Sequence, residues 1–361
     1  MRQRSLLALL AVTIAVGVVA GYVAWDRQSR VSSELRAGEL IFPGLIQRVN
    51  EVREITIGDA RRGFTIAAEE DDRWVVREKG GYPAQPDLVK KAVVALADLR
   101  SLEPRTSNPE LYERIGVNEI DRPGSEAIRI ALKDEKGGEL AALLIGKVRQ
   151  ADTGVRPAQL YVRRPEQAQS WLAEGRLDIK ADPVAWLVRE MLRVPRERIM
   201  RFEIEHPDGS RIGVSRADGK SEDYTFTGLP AEGKPKVTNA NGMMAGLELL
   251  IFEDVAKESD IALENARKAT IRTFDGLVVT VRCGTREGKP WASFAAAFDV
   301  ARADEAKVQE GNDKGLLTRA EVEKEVAEIN ARVAGWLYQI PDYRAENFIR
   351  TAEDMVMKDA S

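Results

Sequence analysis

The order of local sequence patterns is the same in the two halves of this chain, and this recurrence constrains the fold most. Each half opens with three segments in which apolar and polar residues alternate, the period of half-buried antiparallel strands. A Gly-apolar-Pro-Ala corner, a helical segment and further strands follow in both halves. The opening segments are Ile55/Ile57, Phe64/Ile66 and Trp74/Val76, and then Phe202/Ile204, Ile212/Val214 and Tyr224/Phe226. We therefore predict an α+β fold of two duplicated modules of antiparallel strands with packed helices.

Start and stop signals place the helices. Pro86 suits the first position of a helix that runs to about Leu102, because Glu103-Pro104 ends it. The matching helix of the second half is expected near Asn239–Phe252. Three more helices are predicted, from Asp182-Pro183 to Pro195, from the capping box of Thr318 and Glu321 to Gly335, and around Ala345–Met357. Later strands are predicted at Ile128/Ile130/Leu132, Leu140/Ala142/Leu144, Ile271 and Val279/Val281.

The segment Leu6–Trp25 holds twenty residues without a formal charge. At about 1.5 Å of rise per residue, a helix of this length spans roughly the 30 Å of a bilayer core. We therefore predict an N-terminal transmembrane helix that anchors the protein. The alternative is a cleaved signal peptide with a basic head and a cleavage site near Ala20 or Ala24.

These features predict a division into three parts. Residues 1–30 form the membrane anchor, residues 31–195 the first module, and residues 196–361 the second module with a charged helical insertion at about 303–335. Lysine and arginine counts on the two sides of the anchor do not decide its orientation. Since the head is short and basic, and large domains translocate regardless of charge, we expect a single-pass protein of the inner membrane with its bulk in the periplasm.

Composition excludes some classes of partner and chemistry. Hydrophobic residues make up 44% and charged residues 31%, values typical of globular chains. The near balance of 54 basic and 58 acidic residues argues against nucleic acid as the main partner. The single cysteine, Cys283, excludes an intrachain disulfide, and its apolar surroundings in sequence favour a buried filler over a reactive nucleophile.

The sequence predicts no catalytic, cofactor-binding or metal-ligating residue, although carboxylate-only chemistry stays open. The single histidine, His206, belongs to a predicted turn and is expected to face solvent. With no second histidine, His-based zinc sites and Ser-His-Asp or Cys-His catalysis lack their components. The acidic run Glu69–Asp72 lacks the spacing of an EF-hand calcium loop and is interpreted as a solvated turn.

The segment Gly228–Pro235 matches seven of the eight positions of a phosphate-binding P-loop and places Lys234 at the seventh. Its eighth position is proline, which has neither the hydroxyl that binds magnesium nor a backbone N–H. We therefore interpret the segment as a structural corner. The basic run Arg189–Arg201 is interpreted as a solvated linker face, with contact to anionic lipid or a partner as the alternative.

Several motifs together resemble a family. They are Arg73-Trp74-Val75-Val76, Gly81-Tyr82-Pro83-Ala84, Asn108–Tyr112, Ile115-Gly116-Val117, Leu144–Lys147, Leu160–Arg163 and Trp186-Leu187, after an N-terminal apolar segment. The chain resembles bacterial domain-of-unknown-function family 4340, a family of anchored periplasmic proteins often encoded beside ABC transporters of the gliding-motility type. The resemblance implies an auxiliary transporter component and carries over no catalytic residues.

We therefore expect a non-enzymatic, membrane-anchored periplasmic accessory subunit of an ABC-type transport or cell-envelope complex. Its expected partners are the lipid bilayer, through Leu6–Trp25, and the membrane subunits of an ABC transporter. The alternatives are a carboxylate-dependent envelope hydrolase and a periplasmic carrier of lipid or glycan. The helix that begins after Thr318 is expected to pack on its own module, or otherwise against a helical partner.

Overall fold

The computed structural model describes residues 35–149, 158–217, 223–301 and 315–357. The predicted anchor Leu6–Trp25 and the start of the predicted insertion lie outside the described residues. By the density of internal contacts the chain divides into two units, described here as residues 35–65 with 87–181 and residues 66–86 with 182–357.

The structure corrects the predicted fold class. The described chain consists mainly of antiparallel strands in large sheets, and its helices are few and mostly short. Among the described residues, no helix has the length and apolar character needed to cross a bilayer. Over the described residues the expected α+β fold is therefore replaced by a mainly antiparallel β architecture, and the transmembrane helix expected with it is not among the described helices.

The strands and helices have the following bounds. The first nine strands are β1 Glu54–Gly58, β2 Gly63–Ala68, β3 Trp74–Val76, β4 Tyr82–Pro83, β5 Arg100–Pro104, β6 Ile128–Lys133, β7 Glu139–Arg149, β8 Gln159–Arg163 and β9 Ser170–Glu174. They are followed by β10 Glu190–Leu192, β11 Ile199–Glu205, β12 Arg211–Ser215, β13 Thr225–Thr227, β14 Leu250–Ile251, β15 Asp254–Lys257, β16 Glu264–Thr273, β17 Leu277–Arg286, β18 Lys289–Phe298 and β19 Trp336–Gln339. The α-helices are α1 Leu45–Arg48, α2 Pro86–Ala97, α3 Tyr112–Ile115, α4 Val237–Met244, α5 Arg319–Val333 and α6 Asp342–Ile349.

In the first unit the strands follow the order β2-β1-β6-β7-β8-β9-β5, all antiparallel. The register sets Ile57 opposite Ile130, and Ile130 opposite Leu143. All three side chains are buried, so alternation in the sequence becomes one apolar face of the sheet. The predicted strands at these positions are confirmed.

The second unit holds a sheet in the order β13-β12-β11-β16-β17-β18-β19-β15. From β12 onward this order matches that of the first unit strand for strand. Its core contains Phe202, Ile271 and Val281, all of which are buried. Phe202 on β11 lies opposite Ile271 on β16, and Val281 lies on the next strand, β17. The two corners differ, however, because Pro83 lies in strand β4 whereas Pro230 lies outside the strands.

The segment 66–86 belongs to the second unit, although it precedes the rest of that unit by about a hundred residues. Tyr82 is 1% exposed and makes edge-on contacts with Phe252, Trp336 and Tyr338, at centroid distances of 5.3, 4.9 and 6.0 Å. Lys79 forms an ion pair of 2.5 Å with Asp254. These contacts bind the β3–β4 ribbon to the apolar core of the second unit.

The last predicted helix, around Ala345–Met357, is observed as α6 and ends at Ile349. Three other predicted helices also differ from the structure. Helix α2 ends at Ala97, because the following residues form β5, where Ser101 bonds to Glu39. The segment after Asp182 makes a single 3₁₀ turn, Pro183–Trp186, and then extends so that β10 pairs with β14. Helix α4 is likewise shorter than predicted, since Leu250–Ile251 is a strand. In each case pairing with a distant strand outweighs local helical propensity.

Helix α5 has the predicted N-terminus. The Thr318 side chain accepts from the Glu321 backbone N–H, and the Glu321 carboxylate accepts from the Thr318 N–H, which is a capping box. Gly335 follows the helix with a left-handed φ of 78°. The Asn330 side chain exchanges two hydrogen bonds with the backbone of Ala296 in β18. The helix therefore packs on its own unit.

Candidate functional site

A cavity of about 270 Å³ lies in the first unit, between the chain around α3 and the loop that follows β8. Its volume suits one small molecule, since it is just below the roughly 300–1,000 Å³ of pockets for drug-sized ligands. The lining is Pro109, Tyr112, Asn118, Glu119, Arg122, Arg163, Pro165, Glu166, Gln167 and Ala168.

The chain before the cavity is shaped by local capping. The Asn108 side chain accepts from the backbone N–H of Glu110, and Pro109 begins a short 3₁₀ helix that continues into α3. Gly116 ends α3 with a φ of 73°, a left-handed conformation that glycine adopts without strain. The chain then turns, and Asn118 and Glu119 come to line the cavity.

Gly146 allows this turn to approach strand β7 closely. A Cβ atom at this position would lie 2.2 Å from the carbonyl oxygen of Ile115, closer than any real contact. Gly146 and Lys147 together oppose Tyr161 across the β7–β8 ladder, which is a β-bulge. The bulge and the missing side chain together fix where the α3 turn, and hence Asn118, can lie.

Arg163 forms one wall of the cavity and is only 5% exposed. Its Nε donates to the carbonyl of Val117 at 3.1 Å, and its Nη1 donates to those of Pro165 and Gln167, also at 3.1 Å. Its Nη2 donates to the Glu119 carboxylate. A buried guanidinium with these partners ties the α3 turn to the loop after β8.

Tyr112 packs beneath Arg163, whose guanidinium carbon lies 4.5 Å from the ring centroid. The tyrosine hydroxyl donates to the carbonyl of Ala168 at 2.5 Å. Burial raises the pKa of this hydroxyl, and the charge of Arg163 opposes that shift. The hydroxyl therefore stays protonated at neutral pH and acts as a structural donor.

Asn118 carries an unpaired acceptor. The residue is 5% exposed, and its Oδ1 atom is buried without a hydrogen-bond partner among the described residues. An unsatisfied buried acceptor costs about 1–3 kcal/mol, so such atoms are rare unless another molecule pairs with them. The charges that line the cavity balance, because Glu119 and Glu166 offset Arg122 and Arg163.

The residues singled out from sequence lie in the second unit and make structural contacts. Cys283 is fully buried in β17, and burial raises the pKa of its thiol to about 12, so the prediction of a buried filler is confirmed. Lys234 lies in the predicted corner, where its carbonyl accepts from Met357 and the next residue, Pro235, bridges to Val356.

His206 lies in the predicted turn, and its backbone N–H donates to the carbonyl of Ser210. The prediction that it faces solvent is wrong. Its side chain is half-buried, with Nδ1 accepting from Arg267 at 3.1 Å and Nε2 buried without a partner among the described residues. Arg267 and Cys283 both line a second cavity, of about 230 Å³.

The basic run forms the predicted solvated face only in part, because the Arg193 and Arg201 side chains are exposed whereas two other arginines are not. Arg198 is buried between the carboxylates of Asp275 and Glu325, at 2.8 and 2.7 Å, and Arg189 donates to the carbonyl of Phe252. In the acidic run, Glu69 pairs with Arg73 at 2.5 Å. No group of three or more acidic, histidine or cysteine side chains suited to a metal ion occurs in the described ranges.

Sequence reasoning missed the cavity, because Arg163 is 44 residues from its partner Glu119 and neither they nor Asn118 carry a motif of known chemistry. A signal was nevertheless present. Two motifs of the family resemblance, Asn108–Tyr112 and Leu160–Arg163, supply lining residues, and two more, Ile115–Val117 and Leu144–Lys147, contact each other beside the cavity.

The fold and the cavity define a class: a mainly antiparallel β protein of two units, with a small polar cavity in the first. The chain belongs to the family described as Domain of unknown function (DUF4340), whose model matches residues 74–269, more than half of the sequence. Comparison with curated proteins finds no match.

Proposed function

We propose that the protein is a non-enzymatic accessory subunit of an ABC-type transport or cell-envelope complex, with its bulk in the periplasm. The non-enzymatic part of the proposal rests on one observation: the most reactive side chains have structural roles. The Cys283 thiol, with a pKa of about 12, is protonated at neutral pH and buried in a sheet. His206 accepts from Arg267, an arrangement that holds the imidazole in place.

Family membership supports the association with a transporter. Four of the seven motifs behind the resemblance supply or contact the lining of one cavity, so this part of the resemblance belongs to one folded site. Proteins of that family are often encoded beside ABC transporters of the gliding-motility type, and we extend this association to the present chain.

The rival hydrolase function is less well supported by the cavity. A carboxylate that takes part in hydrolysis must be able to contact the reacting bond. Glu119 instead accepts a hydrogen bond from the buried guanidinium of Arg163, a contact that ties the α3 turn to the loop after β8. This contact gives Glu119 a structural role.

Affinity purification tests the association. The full chain, tagged at its C-terminus and expressed at native level, is extracted in mild detergent, and its partners are quantified by mass spectrometry. We expect membrane subunits of an ABC transporter at near-stoichiometric amounts, above an untagged control. Recovery of the chain without them would contradict the proposed partner.

Complementation of a null strain tests the non-enzymatic part. Cys283→Ala and Lys234→Ala should both restore the wild-type phenotype, because neither side chain is read as chemically active. Loss of complementation at unchanged abundance would show that one of them has a chemical role.

A further inference from the structure

The unpaired acceptor of Asn118 is the starting point. Asn118 lines the cavity, and its Oδ1 is buried with no partner among the described residues, so a ligand that reaches this atom must supply an N–H or O–H donor. The contacts of Arg163 use four of its five N–H groups, which leaves one donor on Nη2. A hydroxyl group both donates and accepts a hydrogen bond, and it therefore suits a cavity that is lined by Asn118 and Arg163.

The charges of the cavity restrict the ligand further. Two carboxylates and two guanidiniums line it, and Glu119 is already paired with Arg163. The two carboxylates would repel an anion, and the two guanidiniums would repel a cation. A ligand with a net charge therefore gains little binding free energy here. The balance favours an uncharged ligand.

The walls supply apolar surface as well. Pro109, Pro165 and Ala168 lie beside the polar groups, and the volume is about 270 Å³. A pyranose ring has apolar C–H faces and a rim of hydroxyls, and its size suits one small cavity. Amphipathic molecules of this kind bind where a few polar groups converge beside apolar side chains.

We propose that this cavity binds one neutral sugar ring, with a ring hydroxyl donating to Asn118 Oδ1. The ring can be a free monosaccharide or the end of a glycan. Binding goes beyond the accessory role and does not require it, so each can fail without the other.

Ligand-observed NMR on the purified full-length protein provides the test. The probes are D-glucose, N-acetyl-D-glucosamine and its β1,4-linked disaccharide, with D-glucuronate, D-glucosamine and L-serine as charged or zwitterionic comparisons. We expect at least one neutral sugar to bind with a Kd on the order of 1 mM. If the disaccharide binds more tightly than the monosaccharides, the ligand is the end of a glycan. If they bind equally, the ligand is a free monosaccharide. Binding by none of the neutral sugars, or preferential binding of a charged or zwitterionic probe, overturns the proposal.

Asn118→Leu separates a ligand role from a structural one. The leucine removes the acceptor at similar volume, so sugar binding should fall about tenfold or more, as expected for a lost hydrogen bond in a small ligand. The melting temperature of the free protein should stay equal or rise, since no native partner is lost. Unchanged sugar binding overturns the assignment of Asn118. Asn50→Ala, an exposed asparagine of the first unit outside the lining, is the matched control and should bind like the wild type.

Glu119→Gln tests the charge argument. The substitution leaves one net positive charge in the lining, so the affinity for D-glucuronate relative to D-glucose should rise. An unchanged ratio would show that the balance of charges does not select a neutral ligand. If Asn118→Leu fails to fold, this ratio and the wild-type probe series still decide the proposal.

Discussion

Gly146 shows how a single residue fixes the position of the candidate site. Its backbone passes so close to Ile115 that an added Cβ would lie 2.2 Å from the Ile115 carbonyl oxygen. We predict that Gly146→Ala lowers the free energy of unfolding by about 1–3 kcal/mol, because the crowded backbone must shift. Urea denaturation followed by circular dichroism measures the change.

Gly63→Ala is the matched control. A Cβ there meets nothing closer than 3.7 Å and the backbone needs no left-handed φ, so we expect a change within about 0.5 kcal/mol. Equal effects of the two substitutions would show that the close approach of β7 to the α3 turn is not what makes Gly146 necessary.

Cys283 should be inert in the native protein. With a thiol pKa of about 12 and full burial, the thiolate is scarce at pH 8, on the order of one molecule in 10⁴. We predict negligible reaction with a chromogenic disulfide reagent in native buffer and complete reaction in concentrated urea. Rapid reaction of the native protein would contradict the buried position, and Cys283→Ala gives the blank.

At the scale of elements, helix α5 is held to its unit by a buried charge cluster. Arg198 lies between Asp275, whose side chain is fully inaccessible, and Glu325 on α5. We predict that Arg198→Met costs about 3–5 kcal/mol of stability, because it leaves Asp275 buried without its cation. Glu325→Gln leaves the Arg198–Asp275 pair intact and should cost only about 1 kcal/mol.

Urea denaturation of both variants tests this order. Arg193→Met is the control, since the Arg193–Glu190 pair is largely exposed and its loss should not change stability measurably. If Glu325→Gln lowered the free energy of unfolding as much as Arg198→Met does, the contact with helix α5 would contribute more to stability than the pairing of the buried Asp275.

The start of α5 predicts a pH dependence. Hydrogen bonds from the Thr318 backbone and hydroxyl hold the pKa of the Glu321 carboxyl below its ordinary value of 4.5. Its contribution to stability is therefore complete above about pH 4.5 and is lost as the pH falls through the lowered native pKa. Glu321→Gln keeps a neutral cap, so its melting temperature should lie below that of the wild type at pH 7 and approach it at pH 3. A difference that stays constant between these two values would contradict the role of the ionised carboxylate.

The elements also show what sequence can and cannot predict. Alternation placed strands such as β1, β11 and β17 correctly, and the capping box placed the start of α5, because these signals are local. The segment after Asp182 was predicted as a helix, because its pairing partner β14 lies about sixty residues away. Arg198 was read as solvated for the same reason, since Asp275 and Glu325 are distant in sequence. Asn118 has no local signal, because its unpaired state is a property of the folded cavity.

At the scale of the whole molecule, the second unit depends on an early segment of the chain. Tyr82 contacts three aromatic residues of that unit and is 1% exposed. We predict that Tyr82→Ala lowers the free energy of unfolding by about 3–5 kcal/mol, as for other large aromatic side chains removed from a core. Tyr343→Ala, at a residue 61% exposed, should change it by less than about 0.5 kcal/mol. Similar effects of the two in urea denaturation would contradict the assignment of Tyr82 to this core.

The placement of residues 66–86 also has a consequence for synthesis of the protein. The ribosome releases Tyr82 long before Tyr338, and 256 residues separate these two ring partners. At about 5–20 residues per second, the β3–β4 ribbon waits roughly 13–50 s for the strand that completes its packing. During this interval the apolar side chains of the ribbon lack their packing partners, and exposed apolar surface makes a nascent chain prone to aggregate. The molecule should therefore depend on chaperones that hold nascent chains, and synonymous codon changes that slow elongation after residue 86 should lower its soluble yield.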